Sequence, residues 1–147
     1  MADKSNNAGG CVIPSFKYKD APSAITWLGR AFGFKETLVV PGEDGTIAHA
    51  QLVFGGGMIM LSSPDAHGAG NPYDEIVRPP ADLGGRVSGS VYIVVTDADA
   101  HYARALAAGA EMIGEVEDAE YGGRGYSCRD PEGYFWSFGT YDPLAGD

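Results

Sequence analysis

Cysteine is nearly absent: Cys11 and Cys128 are the two in 147 residues, too few and too far apart for a disulfide framework. Long hydrophobic runs are missing as well, and no stretch approaches the ~20 apolar residues of a membrane span. Positive charge is scarce. Ten Lys and Arg stand against twenty Asp and Glu, a formal charge of -10. That balance counts against nucleic-acid binding, whose affinity comes from cations that displace counterions, and against an anionic membrane surface. Histidine is confined to His49, His67 and His101, in no metal-binding spacing. The first ten residues, MADKSNNAGG, lack the apolar stretch of a secretory signal and read as a disordered tail over 1–10. The expected setting is the reduced cytoplasm.

What is present is enough apolar surface to fold. The chain is 44% hydrophobic and 11% aromatic, which excludes disorder, and a domain of this length buries roughly 70% of the surface its unfolded chain exposes. Twenty-two glycines divide it into short segments. In the first half, 12–18 alternates as a strand, Asp20 is an N-cap with Pro22 in the first turn, and Ala24, Ile25, Leu28, Ala31 and Phe32 share a helical face that Gly33 closes. Strands follow at 35–40, 46–54 and 58–61, the last two paired through Gly55-Gly56-Gly57. The second half repeats the plan. A strand at 90–95 leads to a helix capped by Asp97, with Ala98, Tyr102, Ala105 and Leu106 on its apolar face and Gly109 at its end. Strands at 111–116, 123–129 and 134–141 follow, with a type I turn at Asp130-Pro131-Glu132-Gly133.

The reading is therefore α+β: two tandem βαβββ modules in one domain over 11–147, at 11–61 and 90–143, joined by a linker at 62–89. Ile76-Val77 and Leu83 are read as the linker's aliphatic anchors, and a connection this long is placed to fold over a site mouth. Cys128, with Arg129 as its only basic neighbour, reads as a small apolar strand residue rather than a nucleophile.

The twin plan resembles the vicinal oxygen chelate superfamily, the fold of glyoxalases, bleomycin resistance proteins and extradiol dioxygenases. The likeness is carried by Asp97-Ala-Asp-Ala-His101, Ala107-Ala-Gly-Ala110, Tyr121-Gly-Gly-Arg-Gly-Tyr126 and Asp130-Pro-Glu-Gly-Tyr-Phe-Trp-Ser137, and it extends over about 12–143. It implies half-barrels that close around a cavity, commonly in homodimers with or without exchanged modules. It also implies a divalent metal held by His and Glu on the first and last strands of each module. Those positions fall here on Ile13 or Pro14, Met60, Val91 and Ser137. Hydrocarbon, thioether and hydroxyl groups cannot replace imidazoles and carboxylates, so no metal, no cofactor and no catalytic residue is assigned.

Strand alternation extends the mapping to a candidate ligand-binding lining. Met60 and Ser137 facing inward bring Met58 and Phe135, and Val91 brings Ile93. On the third strand His49 and Gln51 oppose the apolar face and point into the cavity. Tyr126 is counted in the lining, although the inward face of its strand is open on sequence alone. His67 and His101 are expected to be solvated. Glu111, Glu115, Glu117, Asp118 and Glu120 form an acidic run that can steer a cation. The expected function is metal-free binding of a small hydrophobic or aromatic molecule, with cationic ligands and antibiotic sequestration among its forms. The alternative is a metal-dependent lyase, isomerase or dioxygenase with a non-standard site built on His49, Gln51 and nearby carboxylates.

Overall fold

Each half of the chain closes its own four-stranded sheet. The computed structural model describes residues 9–68 and 70–145; most of the tail expected over 1–10 lies outside them. In the first module β1 (Ser15–Lys17), α1 (Ala21–Phe32), β2 (Lys35–Pro41), β3 (Ile47–Phe54) and β4 (Gly57–Ser62) form a sheet in the order β1-β4-β3-β2. The connecting segment carries α2 (Pro72–Ile76) and a 3-10 turn at Pro80–Leu83. The second module comprises β5 (Val91–Val94), α3 (Ala98–Ala107), β6 (Glu111–Asp118), β7 (Arg124–Arg129) and β8 (Phe135–Gly139). Its order is β5-β8-β7-β6, the same plan. The leading strand pairs parallel to the last in both modules, and the remaining pairs are antiparallel. The α+β class and the repeat are as read from the sequence. β1 is shorter than the segment 12–18, and Val12 and Ile13 are exposed.

The helices form where their caps are. The Asp20 carboxylate accepts from Ser23 N at 3.1 Å, and Gly33 closes α1 at φ +93°, a conformation open to glycine. Asp97 accepts from Ala100 N at 3.0 Å to start α3. The two helices pack on each other, and their inner faces and those of both sheets share one aromatic core. Phe32 of α1 lies 5.3 Å from Trp136 and 4.6 Å from Phe138, and Phe16 of β1 lies 5.5 Å from Trp136. Asp130 ties the modules: its buried carboxylate accepts from Tyr18 OH at 2.6 Å, Trp136 Nε1 at 3.0 Å and the backbone of Glu132 and Tyr134. Glu132 adds two bonds from the backbone ahead of α1, at Lys19 and Asp20.

This packing corrects the expectation that the two modules close around a cavity. It is the helix-covered faces of the sheets that meet; the opposite faces are open, and the sheets form no closed barrel. Two further expectations change. Leu106 is half exposed, and His101, one turn from Ala98 and Ala105, takes its place on the core side of α3. Ile76 and Leu83 are exposed rather than anchoring the linker. Pro79, Pro80 and an ion pair between Asp74 and Lys17 hold it instead.

Candidate functional site

Register decides which side chains reach the open faces. In the first sheet Gln51 pairs with Met60, Val53 with Met58, and Ser15 with Met60. His49, Gln51, Met58 and Met60 therefore lie together on the open face, as alternation from the sequence predicts. Val40 and Leu38 on β2 extend that face outward. His49 Nε2 and Gln51 Oε1 are 2.9 Å apart. A pocket of about 280 Å³ over this face is bounded by Ser15, His49, Met60, His67, Asn71 and Tyr73. The linker thus does lie over part of the first module.

The second sheet holds Phe135 and Ser137 on its open face but not the other three residues expected there. Val91 pairs with Trp136 and Ile93 with Phe138, so both point into the shared core. Their neighbours Tyr92 and Val94 are the ones beside Ser137 and Gly139. Tyr126 pairs with Phe138, is buried, and stacks on that ring at 5.3 Å. Burial pushes the Tyr126 phenol far above its ordinary value. The cause of the misplacement is plain in the sequence: Ser90 to Val95 is apolar on both faces, so alternation carries no phase.

Tyr92, Ile113, Ser127, Ser137 and Gly139 floor a groove of about 590 Å³. Tyr121 and Tyr141 stand at its side, and Glu115, Glu117, Asp118 and Glu120 at its rim. Ser127 and Ser137 hydroxyls are 2.7 Å apart. The Tyr92 hydroxyl donates to Tyr141 O at 2.7 Å, and its ring lies so close over Gly139 that a Cβ there would meet the hydroxyl at 2.6 Å. Tyr121 and Tyr141 pack edge to face at 5.1 Å. Among the described residues the one guanidinium in the groove, Arg124, is paired with Asp99 and Asp118. Four of the five residues in the acidic run expected from the sequence therefore border the groove, Glu111 does not, and the tyrosines beside them were missed. A parallel register for the strand at 90–95 would have exposed Tyr92.

The remaining groups are structural. His101 is not solvated: its Nδ1 lies 2.6 Å from Tyr126 OH and its Nε2 2.9 Å from Phe32 O, among Phe32, Phe54 and Phe138. Burial lowers its pKa below the ordinary histidine value. Cys128 is fully buried, and burial pushes its thiol up to about 12. A second large opening, about 600 Å³, flanks α1 beside Asp20, Trp27 and the 130–132 turn. Several of its polar groups are engaged: Asp20 and Glu132 accept backbone N–H groups, and the Trp27 indole donates to Ala108 O.

The donor set of the family's metal enzymes does not fit. Register replaces Ile13 or Pro14 with Ser15 beside Met60, and Val91 with Tyr92 beside Ser137. Two serine hydroxyls, a thioether and a phenol already bonded to Tyr141 offer no imidazole and no carboxylate. Among the described residues no carboxylate lines the pocket at His49. Among the described residues no group of three or more His, Cys, Asp or Glu is placed to hold a metal ion.

Two repeated modules, their sheet order and the motif at 121–137 define the class, and the comparison with known proteins agrees. Residues 16–138 match the Glyoxalase/Bleomycin resistance protein/Dioxygenase superfamily, and the chain belongs to that family. It is 35% identical over 133 residues to the uncharacterized protein Mb0911c of Mycobacterium bovis, covering 90% of this chain and 84% of that one. Among solved structures it is similar to TioX from Micromonospora sp. ML1, with 34% identity, 89% of this chain and 98% of the other, and a TM-score of 0.66. FosX, a fosfomycin resistance protein of Listeria monocytogenes solved with Mn(II) and sulfate, has 14% identity, a TM-score of 0.64 and 92% coverage of both chains. That likeness shows the fold alone. Among the described residues no helix is long and apolar enough to cross a membrane.

Proposed function

We propose that this chain is a metal-free binding protein for a small aromatic molecule that carries positive charge, held on the open face of the second sheet. The observation that carries the reading is the combination in one groove of Tyr92, Tyr121 and Tyr141 with four rim carboxylates and a hydroxyl pair on the floor. Aromatic walls bury an aromatic ligand and attract a cation. Carboxylates along the rim raise its local concentration, and convergent hydroxyls orient it. Of the residues expected from the sequence, Ser137 lies in this groove and Phe135 on the same face beyond its lining. His49, Gln51, Met58 and Met60 are binding residues of the first module, with the two methionines forming an adaptable wall. Sequestration of a bleomycin-type antibiotic in the cytoplasm is the form of this function that the charge profile supports.

The same reading includes a homodimer. Both open faces carry exposed apolar side chains, Leu38 and Val40 on one sheet and Val94 and Ile113 on the other. Pairing the first-module face of one copy with the second-module face of another would cover them and enclose both sets of binding residues. Calorimetry with bleomycin-type glycopeptides and uncharged aromatic natural products, at low and high salt, tests the binding. Heat with the cationic compounds that shrinks with salt is expected. Binding only by anionic compounds, or by none, would contradict the reading.

A further inference from the structure

The first-module pocket is roofed by a helix that buries no apolar side chain of its own. α2 spans five residues, too short to be stable alone. Asn71 caps it, but Ile76 is exposed, Tyr73 is half exposed, and the residue it buries is Asp74. Between Ser63 and Pro79, Asp74 is the one described residue that is buried. Its carboxylate meets Lys17 Nζ at 2.5 Å with both side chains 1% exposed. Lys17 also donates to Ser62 Oγ at 2.8 Å and Ser63 O at 3.3 Å, and its ammonium lies 5.2 Å from the Tyr73 ring centroid. On the other side the His67 backbone N–H donates to Asp74 at 2.9 Å, and its Nδ1 is 3.0 Å away. The Tyr73 hydroxyl reaches Ser15 at 3.1 Å. A segment attached by one buried ionic contact, with few apolar contacts, is the kind that opens locally. The best-attested use of such a pair is to select one arrangement rather than to add stability.

We propose that Lys17 and Asp74 form a latch that holds α2 shut over the pocket at His49 and Met60, and that α2 lifts as a unit while both sheets stay folded. Opening would admit an occupant to that pocket, and closure would place Asn71, Tyr73 and His67 against it. The latch consists of these contacts and does not depend on what the second sheet binds. Hydrogen exchange of the free protein tests it. In Asp74→Asn the Lys17 charge is left without its counter-ion. The amides of His67, Glu75 and Val77 are then expected to exchange at least ten-fold faster, while those of Tyr126 and Phe138 keep their rates. Lys17→Met/Asp74→Leu removes both charges at similar volume and is expected to fold with protection of α2 restored. Unchanged α2 exchange in Asp74→Asn, or α2 and β8 amides accelerating together, would overturn the latch. So would an Asp74→Asn chain that fails to fold while the double variant folds, because the pair would then belong to the core.

Discussion

Single side chains in this protein are divided between holding the modules together and facing the grooves, and burial separates the two roles. Asp130 is the clearest case of the first. Removing its carboxylate in Asp130→Ala strands the Tyr18 hydroxyl, the Trp136 indole and two backbone N–H groups in the core. The expected cost is about 3 kcal/mol, read from urea unfolding. His101 makes a second prediction, in pH. Burial lowers its folded pKa, so the unfolded chain takes up a proton first as pH falls. Its contribution to stability is complete above the unfolded value of about 6.5 and is lost as pH falls through the folded value. Thermal midpoints should fall on acidification from pH 7 to 5 by less in His101→Gln than in the parent chain. Some of these roles are legible in the sequence: Cys128 reads as a packed strand residue and is one. His101 does not, because a polar residue at helical spacing from Ala98 and Ala105 gives no sign of the aromatic cluster that receives it.

At the scale of elements, the helices are legible because their caps are local. Asp20 and Asp97 each bond within three residues, so the signal and the structure lie in one short segment. Asp20→Ala and Asp97→Ala should each cost about 1 kcal/mol. The two caps sit in separate modules, so the double variant should cost the sum of the single effects within about 0.5 kcal/mol. Thermal or urea unfolding checks the additivity. Strands are legible in place but not always in phase. His49 alternates with apolar neighbours and is placed correctly, whereas Val91 and Ile93 stand among apolar neighbours on both sides and are not. The linker fails for another reason. Its anchor is an ion pair between Lys17 and Asp74, 57 positions apart, and aliphatic content says nothing about such a contact.

For the whole molecule, the repeat and the family are visible in the sequence, whereas the relation between modules depends on contacts no local pattern encodes. Tyr18 with Asp130, and Phe32 with Trp136, set the helix-covered faces together and leave the other two faces open. If those faces meet in a homodimer, sedimentation of the parent chain should give twice the mass of 15.4 kDa. Val94→Glu, which places charge beside Gly139 on the open face, should shift it toward the monomer. Binding in the groove of the second sheet can be followed by an NMR titration with a bleomycin-type glycopeptide at low salt. The amide signals of Gly125, Ser127, Ser137 and Gly139 are expected to move, and the movement to weaken in Tyr92→Ala and at high salt. Shifts confined to α1 and the 130–132 turn, or no shifts at all, would contradict it.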